Sequence, residues 1–214
     1  MNVLVTGASR GIGLAAVQKY LREGHAVWGV DLRPAALEHP AYTHIRGDIR
    51  TLTVAVPDLH ILINNAGTLA EEDALAVNLA GTMAFTERHL DSPALRSVLF
   101  VASASARNGA EFPRYVASKA GLVGYMKNLA LALSKRGVTV NSVSPGGVVT
   151  PANDHILNDP APYRAVKAET LLGKWAAPEE VADLIYYMTA VNRSITGEDI
   201  LMDNGEQLKS NFIW

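Results

Sequence analysis

Cysteine is absent from the 214 residues. Disulfides, thiolate metal sites and cysteine nucleophiles are therefore excluded. An excess of charge is also missing. Nineteen basic residues face 21 acidic ones, for a net charge of −2. That balance gives no electrostatic reason to expect nucleic acid or an anionic membrane as partner. No apolar run approaches the ~18 residues that cross a bilayer. Met1-Asn2-Val3-Leu4-Val5-Thr6 lacks the basic start of a secretory leader, and its apolar run stops at Gly7. The expectation is a soluble cytoplasmic protein. The six histidines, at 25, 39, 44, 60, 89 and 155, show no metal-site spacing, so no metal is expected. Charged residues make up 19%, below the usual ~25%. Hydrophobic residues make up 49%, which is ample for a buried core.

Short β-branched runs alternate with longer helical stretches. The runs are Val3–Thr6, Ala26–Val30, His60–Ile63, Val98–Ala102, Val138–Val143 and Ile200–Met202. They are almost continuously apolar, as strands are when both faces of a parallel sheet are covered. The spacing predicts helices over Ile12–Glu23, Asp73–Leu90, Tyr115–Ser134 and Pro178–Thr189. Gly24 stands where a C-terminal cap belongs, and Pro178 where a first helical turn begins. No linker, repeat or low-complexity tract interrupts the chain. The expected architecture is one α/β domain over residues 1–214, a doubly wound parallel sheet of Rossmann type with helices on both faces.

The first strand runs into Thr6-Gly7-Ala8-Ser9-Arg10-Gly11-Ile12-Gly13 and then a helix. Three glycines there serve three needs: a tight turn, backbone approach to a pyrophosphate, and close helix–strand packing. Asp31 ends the second strand, 18 residues after Gly13. A carboxylate there suits both ribose hydroxyls of an adenosine and repels a 2′-phosphate. Arg10 and Arg33 argue the other way, because each could pair with such a phosphate. The desolvation cost of setting a carboxylate against a phosphate favours NAD over NADP.

Six motifs in order now resemble the short-chain dehydrogenase/reductase family, nearly end to end, in a chain shorter than most members. The glycine pattern is met by Thr6, Gly7, Gly11, Ile12 and Gly13. Asp48-Ile49 resembles the family's adenine-contacting pair. Asn64-Asn65-Ala66-Gly67 is its signature after the fourth strand, and Asn78 its central-helix asparagine. Tyr115-Val116-Ala117-Ser118-Lys119 is its Tyr-x-x-x-Lys motif. Pro145-Gly146 with Thr150 is its Pro-Gly motif. The resemblance implies NAD(P) contacts at Gly7, Ser9, Arg10, Gly11, Ile12, Gly13, Asp31, Leu32, Asp48, Ile49, Asn65, Ala66, Gly67, Tyr115, Lys119, Pro145, Gly146, Val148 and Thr150. It implies interconversion of a secondary alcohol and a ketone, with catalysis by Asn78, Ser103, Tyr115 and Lys119.

Physical chemistry supports those roles. Tyr115 and Lys119 are four apart on a predicted helix and share a face. A free tyrosine titrates near pH 10, and an adjacent ammonium stabilises its phenolate. Tyr115 could then take a proton from an alcohol or give one to a carbonyl oxygen. Ser103 follows a strand at the carboxyl edge and could donate to the substrate oxygen. It lies 12 positions before Tyr115, one fewer than is usual in the family, while Ser105 lies 10 before it. Ser103 is the expected catalytic serine, and Ser105 a second substrate contact or a plain loop hydroxyl. Asn78 would serve a proton relay, through its side chain or through a helix kink.

Two connections are short. Thirty-three positions separate Asp31 from Asn64, and 11 separate Gly67 from Asn78. Both should trim the periphery of the sheet and open one side of the cleft. Residues 150–171, rich in Pro, Asn and Asp, read as a mobile lid. His155, with Ile156, Leu157 and Tyr163, could line a substrate pocket there. The apolar Phe212-Ile213-Trp214 suggests packing on a neighbouring subunit or on the cleft. Family members form dimers and tetramers through the two central helices, and Ala117, Ala120, Gly121 and Gly124 suit close packing. Alternatives within the fold are an NADPH-linked 3-oxoacyl-thioester reductase and a non-catalytic dinucleotide-binding regulator.

Overall fold

Every apolar run of the sequence becomes a strand, and one strand appears that no such run announced. A computed structural model of the protein describes residues 1–110 and 112–209. The strands are β1 Asn2–Thr6, β2 Ala26–Asp31, β3 Tyr42–Arg46, β4 Leu59–Asn64, β5 Ser97–Val101, β6 Thr139–Pro145 and β7 Asp199–Met202. They form one parallel sheet in the order β3-β2-β1-β4-β5-β6-β7. The order reverses between β1 and β4. The crevice beyond their carboxyl ends is where such sheets bind ligands.

The missed strand, β3, is one of the two sheet edges. Its Tyr42-Thr43-His44-Ile45-Arg46 is only half-buried, so it carries no continuous apolar run. The central strands do: β5 is buried throughout and β4 at all but His60. Alternate residues of each strand feed opposite layers. Val3, Val5, Ile61 and Ile63 pack with Val17 and Tyr20 of α1 (Gly11–Arg22) and with Val181 and Ile185 of α7 (Pro178–Tyr186). Leu4, Leu62, Val98 and Phe100 pack the other way. They meet Phe85 of α2 (Thr82–Glu87) and Leu122 and Met126 of α4 (Pro113–Leu133). Burying each large side chain of this kind contributes about 1.5–3 kcal/mol.

Two predicted helices are interrupted. The stretch expected as a helix over Asp73–Leu90 begins as a π-helical turn at Leu75–Gly81 before α2. The helix expected over Pro178–Thr189 ends as a second π turn, Tyr187–Val191. Gly24 closes α1 in the left-handed conformation, with φ 77° and its N–H on Leu21 O.

The short connection from β3 to β4 contains no helix among the described residues. The edge strand β3 itself is retained. Ile49, Leu52, Val54 and Val56 lay apolar side chains on the face beside Val30 and Trp28. Residues 150–171, expected as a mobile lid, are largely helical, with a 3₁₀ turn at Pro151–Asn153, α5 at Asp154–Leu157 and α6 at Pro160–Ala168. The Pro and Asp read as loop markers are start signals for α6. Asp159 Oδ1 accepts from Ala161 N–H at 3.0 Å, and Pro160 fills the first position. The short α3 (Ser105–Asn108) follows β5.

Candidate active site

The turn after β1 is shaped by what glycine permits. Gly7 and Gly11 have φ of 68° and 53°. A Cβ on Gly13 would lie 2.0 Å from Gly7 O, so helix and turn touch backbone to backbone. The Asn65 amide donates to Thr6 O and Gly7 O at 3.0 and 3.2 Å. Thr6 Oγ1 accepts from the N–H groups of Asn65 and Ala66, both at 3.0 Å. The segment after β4 is thereby fastened to the turn after β1 across the switch point.

Asp31 lies beside this turn and is 8% exposed. Its Oδ2 accepts from Ser9 N–H at 3.0 Å and its Oδ1 from Arg33 N–H at 2.9 Å. The Ser9 hydroxyl is buried and has no protein partner among the described residues. Such a group fits a dinucleotide, whose oxygens would satisfy it. Arg10 and Leu32 are exposed at the rim, as is Arg33. Asp48 chelates the Arg50 guanidinium with a contact of 2.6 Å, and that hydrogen bond holds its carboxyl below the usual range. The adjacent Ile49 is buried in the core. From the other half of the sheet, Pro145 ends β6 and Gly146 packs against the Asp203 backbone. The buried Val148 bridges to Ala176, and Thr150 reaches the glycine turn. A Cβ on Gly11 would come within 3.3 Å of Thr150 Cγ2.

The polar groups expected to do chemistry gather at the same edge. Lys119 is only 5% exposed, and its ammonium donates to Val101 O at 2.8 Å. It lies 5.7 Å from the centre of the half-buried Tyr115 ring. A Cβ on Gly67 would sit 3.6 Å from that ammonium and 3.1 Å from Asn78 Oδ1, so three predicted residues converge. Ser103 is two residues beyond Val101. Its hydroxyl accepts from Ser105 Oγ at 2.8 Å and from Ser105 N–H at 3.2 Å. Ser105 is thus a partner of Ser103.

Asn78 sits inside the π turn and is fully buried. Its side chain is committed: Oδ1 accepts from Thr68 N–H, and Nδ2 donates to Thr68 O and Ser118 Oγ. A proton relay here would therefore use the turn, not a free Asn78 amide. His155 is exposed on α5. Tyr163 packs edge-on against Trp175, which covers Gly147. Of the small residues on α4, Gly121 packs on Leu79, while Ala117, Ala120 and Gly124 are exposed. Phe212-Ile213-Trp214 lies outside the described residues.

Several structural contributors went unread in the sequence. Arg107 forms an ion pair with Asp199 at 2.8 Å, and Asp199 also accepts from Ser142 and Ser144 at 2.7 Å. Gln207 donates to Ala104 O at 3.0 Å. These bonds tie the serine segment to β7 and the turn that follows it. Each joins residues far apart in sequence, so no local motif could reveal them.

Residues 43–207 match the family described as enoyl-(acyl carrier protein) reductase. The chain belongs to the short-chain dehydrogenase/reductase family. It is 29% identical to glucose 1-dehydrogenase of Gluconobacter oxydans, over 99% of this chain and 93% of that one. It is 30% identical to a 3-oxoacyl-[acyl-carrier-protein] reductase of Chlamydia pneumoniae, over 95% and 96%. The crystal structure of a short-chain dehydrogenase/reductase-family oxidoreductase from Burkholderia thailandensis superposes with a TM-score of 0.87 at 28% identity, over 97% and 93%. The short-chain dehydrogenase/reductase described here is an NAD(P)-dependent oxidoreductase acting on CH–OH groups. Among its described residues, no helix is long and apolar enough to cross a membrane.

Proposed function

We propose that this enzyme interconverts a small secondary alcohol and its ketone, with NAD(H) preferred over NADP(H). The observation that carries the reading is the buried Lys119 ammonium, fixed on Val101 O and set beside the Tyr115 ring. An ammonium held there stabilises negative charge on the phenol oxygen. Tyr115 then accepts the alcohol proton in oxidation and returns it to the carbonyl oxygen in reduction. The Ser103 hydroxyl donates to the same substrate oxygen, and the hydrogen bond from Ser105 to Ser103 Oγ fixes its direction. The nicotinamide, when bound, supplies the hydride acceptor or donor. Asn78 keeps the π turn against α4, and Lys119 exchanges protons along that side.

The preference for NAD rests on Asp31. Two backbone N–H groups hold its carboxylate, leaving further lone pairs for ribose hydroxyls and a negative charge that opposes a 2′-phosphate. The exposed Arg10 and Arg33 keep their charges in solvent, where pairing is weak. We assign residues 150–171 to the substrate side of the site, with His155 as a proposed contact. The exposed Ala117, Ala120 and Gly124 suit a homodimer or homotetramer joined along α4. A cytoplasmic location accords with these properties.

Fluorescence titration with NADH and NADPH tests the reading. NADH should bind about tenfold tighter, a difference of about 1.4 kcal/mol. A preference for NADPH would move the assignment to a biosynthetic reductase of the 3-oxoacyl-thioester kind. Binding of neither would overturn the reading and leave a chain that kept the fold alone.

A further inference from the structure

The short connection between Gly67 and Asn78 is fastened at two points. At its start, Asn78 Oδ1 accepts from Thr68 N–H at 2.7 Å and Nδ2 donates to Thr68 O at 2.9 Å. Further on, Glu71 crosses to the N-terminus of α4. Its Oε1 accepts from Arg114 N–H at 2.7 Å and its Oε2 from Tyr115 N–H at 3.4 Å.

Helix α4 needs that acceptor. Its N-cap residue is Phe112, whose side chain makes no capping bond, and Pro113 follows with no N–H. The first amides left to satisfy are those of Arg114 and Tyr115, the pair that a serine or aspartate at the cap would serve. Glu71 serves them from 43 and 44 positions upstream. The backbone of Tyr115 is held on its other side too. Ser118 Oγ donates to Tyr115 O at 2.7 Å and accepts from Asn78 Nδ2 at 3.2 Å.

We propose that Glu71 is a positioning residue for Tyr115, capping the first turn of α4 from the shortened connection so that the phenol is held in register for proton transfer. The proposal rests on the reading of Tyr115 as the proton-transfer group. Lys119 stands one turn deeper, with its own bond to Val101 O. Loss of the cap therefore loosens the first turn of α4 at Tyr115 while leaving Lys119 in place, and separates turnover from cofactor binding.

The test pairs Glu71→Ala with a local replacement cap. Phe112 has φ −76° and ψ 134°, the extended backbone of an N-cap, and is 54% exposed, so an aspartate fits there. Glu71→Ala should lower kcat about tenfold and speed amide exchange over residues 114–119 by a similar factor, with NADH affinity unchanged. Adding Phe112→Asp should restore both. Phe112→Asp alone serves as the control and should turn over like the parent. Unchanged exchange in Glu71→Ala would overturn the capping, and faster exchange with normal kcat would overturn the positioning. Restored exchange without restored kcat would also overturn it, and would make Glu71 a substrate contact. Amide exchange is read without turnover, so the proposal can fail or stand apart from the role of Tyr115.

Discussion

The glycine turn and residues 150–171, which meet where Thr150 packs on Gly11, are built on opposite principles. The turn is made of positions that tolerate one residue type. Gly13 has no room for a Cβ, Gly7 requires positive φ, and Asn65 and Thr6 close the remaining bonds. The other segment is made of short helices that stay largely exposed. It is held by Tyr163 against Trp175, by the bond from Asn153 to Val148 O, and by Thr150 against Gly11. A cofactor common to a whole family calls for a site that cannot vary. Substrate choice calls for a segment that can vary without disturbing that site.

The largest expected effect falls on the rigid side. Gly13→Ala drives a methyl into Gly7 O, and backbone there cannot yield cheaply. NADH affinity should fall by about 100-fold or more, with a lower Tm, by titration and thermal melting. Near-parental NADH affinity would break the comparison. Next comes Asp31→Ala, which removes the acceptor of the Ser9 and Arg33 amides. NADH affinity should fall by about tenfold while NADPH affinity holds or rises, which parallel titrations would show.

The third prediction concerns the framework shared by both regions. His89 is buried against Phe85, donates from Nδ1 to Phe85 O and accepts at Nε2 from Val54 N–H. Burial pushes its pKa below the ordinary value of about 6.5, as it does for His25 and His60. Each of these groups favours the fold when neutral. Their contribution is complete above about pH 6.5 and declines as pH falls from there towards the folded value. Tm should drop by a few degrees between about pH 7.5 and 5.5. A Tm that rises on acidification would contradict the burial of these rings.

The smallest effect belongs to the variable side. His155→Ala should alter KM for substrate by about threefold or less, leaving NADH affinity and Tm within error. A loss of cofactor binding in that variant would mean that the two regions are not separate.

The same contrast explains what could be read in advance. Gly7, Gly11 and Gly13 announce their turn because the backbone geometry leaves no alternative. Tyr115 and Lys119 announce a shared helix face through their spacing. The buried strands announce themselves as continuous apolar runs. Strand β3 did not, because its Tyr42-Thr43-His44-Ile45-Arg46 is only half-buried and mixes polar residues into the run. The π turn around Asn78 did not, because a shifted hydrogen-bond register leaves no mark in helical periodicity. Helix α6 was hidden by Asp159 and Pro160, which mark a loop and a helix start equally well. Glu71, Arg107 and Gln207 act across 43, 92 and 103 positions, distances that only the folded chain closes.

The central claim is that cofactor binding and proton transfer reside in separable parts of one site. Tyr115→Phe removes a single oxygen and tests it most directly. Turnover of a secondary alcohol should fall by about 100-fold or more, while the NADH dissociation constant stays within about threefold of the parent. Undiminished turnover would contradict the assignment of Tyr115 as the proton-transfer group.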